Sequence, residues 1–316
     1  MPAKLSIHVP TQAVAIRVLE DGTDLVLGRA PESDCVLAHD SVSRRHARIR
    51  HAGGERWTIE DLGSKNGIRV DGNRVQSADL AASQWLAVGD VFCEFERVGP
   101  EAVEHLNARA QHRRQSSQLW IDRISTSDNV DGLMDTLLRG IVEIAECRRG
   151  FLLVVDRAGS LHVRACHAMD PADLNGIAFS GSRSAVDRSI LERRSVYLSD
   201  RHDHEWLQDK ASVVARGIRA LASLPLQHEG RLLGVAYADT DDEAKIFTEL
   251  DADLLEAFAD HAANALAAVE LDATLTRMES AFAGATGNAT RWPGTGTVAA
   301  WNDSGVHRSV ASEPSR

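Results

Sequence analysis

Three short polar clusters in the first hundred residues carry side chains that can bind a phosphate group. They are Gly28-Arg29, Ser43-Arg44-Arg45-His46 and Gly63-Ser64-Lys65-Asn66-Gly67. An arginine offers a planar fork of donors that fits a phosphate, a serine adds a hydroxyl donor, and a lysine adds a point charge. Because the clusters are far apart along the chain, only a fold that gathers three loops could combine them in one site.

The residues around these clusters alternate between apolar and polar types, which predicts short strands. The apolar positions with this period are Val14, Ile16 and Val18, then Ala47 and Ile49, then Trp57 and Ile59, and then Cys93 and Phe95. Pairs such as Asp21-Gly22, Asp71-Gly72 and Gly89-Asp90 favour turns between them. Many short strands with frequent turns predict an antiparallel β-sandwich.

Over roughly residues 5–98, the order Gly28-Arg29, Ser43-x-x-His46 and Asn66-Gly67 resembles the signature of the forkhead-associated (FHA) domain. This resemblance implies a β-sandwich whose loops at one end bind a phosphothreonine peptide. A phosphothreonine carries roughly −1.5 to −2 charges and three strong acceptor oxygens, and the side chains in the three clusters suit that chemistry.

The resemblance also implies a role for each residue. The residues expected to bind the peptide are Arg29, Ser43, Arg44, Lys65 and Asn66, and those expected to support the site are Gly28, His46 and Gly67. Of the first group, Asn66 is expected to hydrogen-bond the peptide backbone beside the phosphothreonine, and the others to reach the phosphate. His46 is expected to brace the loop from inside, and Gly67 to occupy a turn that needs a positive φ.

Each cluster also has a simpler interpretation. A lone Gly-Arg carries little information, and a lone Asn-Gly most often marks a hairpin turn. Arg44, Arg45, Arg48 and Arg50 could form a solvated strand face, which is the favoured interpretation for Arg48 and Arg50. A domain of this fold could also bind an unphosphorylated partner.

The rest of the chain has a different pattern. Residues 99–127 begin with the break at Gly99-Pro100 and continue as a polar stretch, which predicts a linker helix. Helical spacing over 128–146 is followed by strand-like and helical stretches, a hairpin around 221–239, and a long helix from Thr248. Thr248 and Asp251 are spaced as in a capping box at the start of that helix. This order predicts an α+β domain.

Residues 115–272 resemble a GAF domain. The stretches that carry the resemblance are 133–145 with 149–156, 184–200, 220–226, 234–239 and the pair Phe247-Thr248. The resemblance implies a central antiparallel sheet with helices packed on it, a small-molecule pocket on one face, and frequent dimerisation through the terminal helices.

The sequence does not identify a ligand for this second domain. Phe247 and Asp251 keep the spacing of the cyclic-nucleotide subset, but the rest of that signature is missing, so Phe247 is expected in the core. Three further patterns are weak, and each is interpreted as structural or as surface: Cys166-His167 for bilin attachment, Cys147 with Cys166 for thiol chemistry, and His202-Asp203-His204 for a metal. No cofactor and no metal are expected.

Composition excludes several classes of protein. The formal net charge is −11, which argues against general nucleic-acid binding. No apolar run is long enough for a membrane helix, and the first residues lack the pattern of a secretion signal, so a cytoplasmic protein is expected. The four cysteines are far apart, which argues against a disulfide framework.

We therefore expect a multidomain protein with an FHA domain (1–98), a helical linker (99–127), a GAF domain (128–272), and a helix end followed by a disordered tail (273–316). The expected function is that of a non-enzymatic bacterial signalling adaptor, which binds a threonine-phosphorylated protein downstream of a Ser/Thr kinase. A homodimer is expected because the apolar stripe of the last helix continues to Leu271, Leu275 and Met278. The alternatives are a cyclic-nucleotide or metabolite receptor with the GAF pocket as its primary site, and a purely structural scaffold.

Overall fold

The computed structural model describes residues 1–9, 12–125, 130–156, 158–170, 182–199 and 217–286. The chain divides into two compact units, Met1–Glu270 and Leu271–Arg316. In these ranges no helix combines the length and the apolar character that a membrane crossing requires.

The strands and helices follow one another in two blocks. The first block contains β1 (Ala3–His8), β2 (Ala15–Leu19), β3 (Asp24–Gly28), β4 (Cys35–Val36), β5 (Ala47–His51), β6 (Trp57–Asp61), β7 (Ile68–Val70), β8 (Asn73–Val75), β9 (Ser77–Leu80), β10 (Ser83–Val88) and β11 (Val91–Arg97). The second contains α1 (Pro100–Ser125), α2 (Val130–Ile144), β12 (Arg149–Val155), β13 (Leu161–His167), α3 (Arg183–Glu192), β14 (Val196–Ser199), β15 (Ala220–His228), β16 (Arg231–Thr240) and α4 (Glu249–Thr286).

The first block folds into two sheets that pack face to face. One sheet has the strand order β2-β1-β11-β10-β7-β8 and the other has the order β4-β3-β5-β6-β9. Side chains from both sheets fill the space between them, and Leu5, Trp57, Ile59 and Phe95 have no exposed surface. The strand pairs are antiparallel apart from β3 and β4, so the predicted antiparallel β-sandwich is confirmed.

The pairing of three strands explains why the three polar clusters lie together. Leu27 on β3 is opposite Ala47 on β5, and Ala47 is opposite Asp61 on β6. Because both pairs are antiparallel, the end of β3, the start of β5 and the end of β6 form one edge of the sheet. The loops that contain the three clusters leave the sheet at that edge.

The second block is built on a five-stranded antiparallel sheet with the order β13-β12-β16-β15-β14. One face packs against α1, α2 and α4 in a core that includes Leu137, Ile141, Phe247 and Phe258. The other face packs against α3 in a smaller core around Phe151 and Tyr237. The α+β pattern and the core position of Phe247 are therefore confirmed.

The start of α4 is capped as its sequence predicts. The backbone N–H of Thr248 donates to Asp251 Oδ2 over 2.5 Å, and the N–H of Asp251 donates to Thr248 Oγ1 over 3.3 Å. Asp251 has a second role that the sequence did not indicate. Its carboxylate, 1% exposed, also pairs with Arg113 of α1 and with Lys245.

Lys245 extends this ion cluster to Glu146, whose carboxylate is 3.0 Å from its Nζ. Burial alone would raise the pKa of Glu146, but the nearby Lys245, Arg113 and Arg109 outweigh it and lower that pKa. The cluster therefore ties α1, the turn after α2 and the start of α4 together through buried or half-buried charges.

Val14, just before β2, and Arg17, within β2, contact the chain at the start of α4. The N–H of Val14 donates to the carbonyl of Phe247 over 2.8 Å, and the carbonyl of Val14 accepts from the N–H of Glu249 over 2.9 Å. The guanidinium of Arg17 makes two hydrogen bonds of 2.6 and 3.2 Å to the Glu249 carboxylate. The sandwich and the second domain are thus joined by backbone pairing and by an ion pair.

The last helix is longer than the second domain requires. It continues to Thr286, and Leu271, Leu275 and Met278 are 62%, 50% and 54% exposed. The rest of the predicted tail, from residue 287, and the motif His202-Asp203-His204 lie outside the described residues.

Candidate functional site

The close approach of two loops explains why residue 28 is a glycine. A Cβ at Gly28 would lie 2.2 Å from the carbonyl oxygen of Arg44 and 2.5 Å from Ser33 Oγ, where no side chain fits. The next two backbone N–H groups, of Arg29 and Ala30, donate to the carbonyls of Ser43 and Arg44 over 2.9 and 3.1 Å. The first polar cluster is therefore held directly against the second.

The side chain of Arg29 is exposed and partly held. Its Nε donates to the carbonyl of Val42 over 3.2 Å. The two terminal nitrogens of the guanidinium have no acceptor among the residues that the structure describes. They remain as donors for a ligand, in the planar arrangement that suits a phosphate.

The hydroxyl of Ser43 is oriented by the third loop. Ser43 Oγ accepts a hydrogen bond from the backbone N–H of Lys65 over 3.0 Å. A serine hydroxyl has one proton to donate and can accept at the same time. The bond from Lys65 therefore leaves the hydroxyl proton of the half-buried Ser43 to donate to a bound anion.

His46 joins the second and third clusters from inside the fold. It has no exposed surface; its Nδ1 accepts from the N–H of Ser43 over 3.0 Å, and its Nε2 lies 3.0 Å from the carbonyl oxygen of Gly67. Since Nδ1 accepts, the ring proton is on Nε2 and is donated to Gly67. One imidazole therefore sets the spacing between the Ser43 loop and the Asn66 loop.

Asn66 is held in one orientation by its own domain. Its Nδ2 donates to the carbonyl of Ser41 over 2.7 Å, which leaves Oδ1 to accept from a ligand N–H. Gly67, which follows it, has a φ of 77° and donates its N–H to Ser64 Oγ over 2.8 Å. The positive φ that was expected at Gly67 turns the chain directly behind the asparagine.

The charges of the sandwich are unevenly paired. Six of its cations lie within 4.0 Å of a carboxylate: Lys4, Arg17, Arg48, Arg50, Arg56 and Arg97. Six others have no carboxylate at that distance in the part of the chain that the structure describes: Arg29, Arg44, Arg45, Lys65, Arg69 and Arg74. The unpaired cations all lie between positions 29 and 74, in or near the three clusters.

A groove runs from Arg29 and Ser43 along the β3–β5 side of the sandwich. It is lined by four arginines, three carboxylates and small residues: Arg29, Arg44, Arg45, Arg48, Asp24, Glu32, Asp34, Val26, Ala30, Ser33 and Ser43. Arg48 lies 3.3 Å from Asp24 inside this groove. Neither Lys65 nor Asn66 lines it, so the groove leads away from the third cluster.

The structure therefore brings all five predicted binding residues to one edge of the sandwich. Sequence reasoning missed two residues that position them. The carbonyl of Ser41 accepts from Asn66 and so orients it. The hydroxyl of Ser41 accepts from the N–H of Asp90 over 2.8 Å. Ser64 orients Gly67. Their only signal in the sequence is a short polar residue in a loop, a type that often bonds to nearby backbone.

The second domain has a buried polar set on the sheet face that packs against α3. Ser189 Oγ lies 2.9 Å from Ser223 Oγ, and Asp239, which has no exposed surface, pairs with Arg149 at 2.6 Å. Burial raises the pKa of the Asp239 carboxyl, although Arg149 opposes the shift. Phe151 stacks on Tyr237 with ring centres 4.6 Å apart.

The cysteines of this domain are poor nucleophiles. Burial raises the pKa of Cys147 to about 12 and also raises the pKa of Cys166. Both are therefore thiols near neutral pH, and the thiolate is the reactive form. Within the described ranges, no group of three or more histidine, cysteine, aspartate or glutamate side chains is placed to hold a metal ion.

Comparison with known proteins agrees with the two folds. A family model for the FHA domain matches residues 25–93, and a family model for the GAF domain matches residues 127–267. The chain is 39% identical over 85 residues to the FHA domain-containing protein FhaB of Mycolicibacterium smegmatis. The aligned region covers 25% of this chain and 54% of that protein. The chain spans about half the length of the curated relatives it matches.

Two solved structures are similar to the two parts of the chain. The FHA domain of the CT664 protein from Chlamydia trachomatis is 31% identical, with a TM-score of 0.30, over 31% of this chain and 100% of that one. The GAF domain of a phosphoenolpyruvate-protein phosphotransferase from Acinetobacter is 10% identical, with a TM-score of 0.40, over 51% of this chain and 95% of that one. Since both family models match in this order, the chain has an FHA domain followed by a GAF domain.

Proposed function

We propose that the FHA domain binds a phosphothreonine-containing segment of a partner protein at the edge where the three polar clusters meet. The observation that carries this proposal is the separation of paired from unpaired cations. Six cations of the sandwich have carboxylate partners, whereas the three cluster cations Arg29, Arg44 and Lys65 have none among the described residues. Unpaired cations around preoriented donors favour an anionic ligand.

Each side chain has a distinct role in this proposal. The terminal nitrogens of Arg29 and the hydroxyl of Ser43 donate to the phosphate, and Arg44 and Lys65 add positive charge beside it. Asn66 accepts from the backbone of the bound segment through Oδ1 and so sets its register. Gly28, His46 and Gly67 contact only their own chain and keep the three loops at a fixed spacing.

The proposed role of the whole chain is that of a non-enzymatic signalling adaptor in the cytoplasm, downstream of a Ser/Thr kinase. The GAF domain would contribute dimerisation and could take a small molecule. The stripe of exposed apolar residues Leu271, Leu275 and Met278 on α4 supports the first of these two roles.

A second candidate function places the primary site in the GAF domain, as a receptor for a cyclic nucleotide or another metabolite. The buried pair Arg149–Asp239 and the buried hydroxyls of Ser189 and Ser223 favour it, because a polar set of this kind could bind a polar ligand. A metabolite that binds the folded chain would raise its melting temperature in proportion to the logarithm of its concentration. A purely structural scaffold would show no such shift.

The test of the first proposal is calorimetric titration of the full chain with a phosphothreonine peptide selected from a peptide library on the wild type. Arg29→Ala should weaken binding by about 30-fold or more, because removing one partner of a desolvated charge pair costs about 2–5 kcal/mol. The unphosphorylated peptide should not bind.

Arg50→Ala is the matched control, since it removes the same charge from a β5 residue that is already paired with Asp24 of β3. It should leave the affinity unchanged. A folded Arg29→Ala variant that binds as tightly as the wild type would remove Arg29 from the site and contradict the proposal.

A further inference from the structure

We infer that the FHA domain selects phosphothreonine segments with a second anionic group, a carboxylate or another phosphate, on one flank only, and that Arg45 binds this group. The inference rests on the proposed function and concerns the groove beside the phosphate site. Arg45 was not among the residues that the resemblance to the FHA family pointed to.

The groove gives the bound segment a defined path on one side. It starts at Arg29 and Ser43, which would hold the phosphate, and it leads away from Lys65 and Asn66, which do not line it. A segment anchored at the phosphate therefore has one flank that passes Asn66 and another flank that enters the groove. The two flanks meet different side chains.

The charges in the groove favour an anion at Arg45. Of the other charged residues there, Arg48 pairs with Asp24 at 3.3 Å, and Asp34 Oδ2 accepts from the N–H of Val26 over 2.9 Å. Arg29 and Arg44 would lie beside the proposed phosphate position. Arg45 also lines the groove, but it has no carboxylate partner among the described residues and is not assigned to the phosphate. It is therefore available to bind a second anion.

Glu32 also lines the groove, and it limits what the groove accepts. It has no cation within 4.0 Å in the described ranges, so it would repel an acidic flank that approached it. A second anion is therefore favoured near Arg45 and disfavoured near Glu32. Removing the charge of Glu32 should strengthen the binding of an acidic flank, whereas removing that of Arg45 should weaken it.

The experiment compares four peptides by calorimetry on the full chain. All contain the same phosphothreonine core. The first has neutral flanks, the second has two glutamates before the phosphothreonine, and the third has two glutamates after it. The fourth has a second phosphothreonine on the flank where the glutamates increase the affinity. One glutamate placement should bind about three- to fivefold more tightly than the neutral peptide, as for an exposed ion pair. The other placement should give no gain.

Three substitutions test which residue binds the second anionic group. Arg45→Gln should abolish the gain and leave the affinity for the neutral peptide unchanged, and Glu32→Gln should increase the gain. The matched control is Arg69→Gln, because Arg69 is an exposed arginine without a carboxylate partner among the described residues and does not line the groove. It should leave the gain intact. The fourth peptide shows whether a phosphate or a carboxylate is the preferred second anion.

The possible failures are distinguishable. If no peptide binds, the proposed function is wrong. If the neutral phosphothreonine peptide binds but neither glutamate placement improves it, or if both placements improve it equally, the inference about the groove is overturned. It is also overturned if Arg69→Gln reduces the gain as much as Arg45→Gln, because the effect is then general attraction between charges.

Discussion

At the scale of single residues, the site depends on contacts that leave donors free for a ligand. Arg29 is held by one nitrogen only, Ser43 by its acceptor lone pair, and Asn66 by its amide nitrogen. Donors and acceptors that are already oriented lose little conformational freedom on binding, which increases affinity. The residues that hold these side chains in place are packed against their own chain and tolerate little change. Gly28 is the clearest case.

Gly28→Ala should damage the site although it adds only a methyl group. The new Cβ would lie 2.2 Å from the carbonyl oxygen of Arg44, so the backbone of one of the two loops must move. We expect a loss of about 1–3 kcal/mol in unfolding free energy, as for other overpacked positions, and a loss of about tenfold in phosphopeptide affinity. Urea unfolding and calorimetry measure the two quantities.

Gly99→Ala is the control for this prediction. Gly99 does not have a positive φ, and a Cβ there would meet nothing within 4 Å. It should behave as the wild type in both measurements. If Gly28→Ala also does so, the close contact with Arg44 is not needed for binding.

The sequence predicted most of these residues but not how they are held. Arg29, Ser43, Lys65 and Asn66 could be identified because their types and order match a known signature. The partners of Arg29 Nε and Asn66 Nδ2 are backbone carbonyls of Val42 and Ser41. Every residue has a carbonyl, so no residue type signals which one is used, and only the folded loop determines it.

At the scale of helices and strands, local patterns predicted the elements well and their contacts poorly. The capping box of Thr248 and Asp251 could be read from a spacing of three residues. The pairing of Asp251 with Arg113 could not, because these residues are 138 positions apart and meet only after α1 packs beside α4. Strand pairing is equally hard to predict from the sequence. A period of two identifies a strand, but it does not indicate which strand lies beside it.

Asp251→Ala should destabilise the protein by about 3–5 kcal/mol, the usual cost of breaking a buried ion pair by removing one partner. The variant would leave Arg113 and Lys245, whose side chains are 12% and 7% exposed, without this carboxylate. It would also remove the cap of α4. Urea unfolding of the full chain measures the change.

Two further variants separate the contribution of the ion cluster from that of the helix cap. Asp253→Ala removes an exposed carboxylate from the same turn of α4 and should change the unfolding free energy by less than about 0.5 kcal/mol. Asp251→Asn keeps the shape and much of the cap but removes the charge. If Asp251→Ala is no more destabilising than Asp253→Ala, the ion cluster does not stabilise the fold.

At the scale of the whole molecule, the FHA and GAF domains are joined by more than a linker. Val14 pairs with the backbone at the start of α4, and Arg17 and Glu249 form an ion pair across 232 positions of sequence. The side chains of this pair are 42% and 47% exposed, so it contributes at most about 1 kcal/mol. The sequence could not indicate this junction, because each residue is ordinary in its own domain.

The exposed stripe on α4 leads to a prediction about assembly. Leu271, Leu275 and Met278 are spaced as one face of a helix, and each is at least half exposed. We expect the full chain to have a dimeric mass by light scattering, twice the 34.3 kDa of one chain. Leu275→Glu should convert it to a monomer, because a charge in an apolar helix interface is costly.

Thr276→Glu is the matched control, since Thr276 is an exposed polar residue next to Leu275 on the same helix. It should remain dimeric. A monomeric mass for the wild type, or a dimer for Leu275→Glu, would rule out pairing through this face of the helix.

We propose that one edge of the FHA domain binds phosphothreonine through three loops at once. The decisive measurement is NMR of the ¹⁵N-labelled full chain during titration with a phosphothreonine peptide and with the same peptide unphosphorylated. We expect phosphate-dependent shifts of the backbone amides of Arg29, Ser43, Lys65 and Asn66, with smaller changes elsewhere. Shifts that are the same for both peptides, or that leave these four amides unchanged, would contradict it.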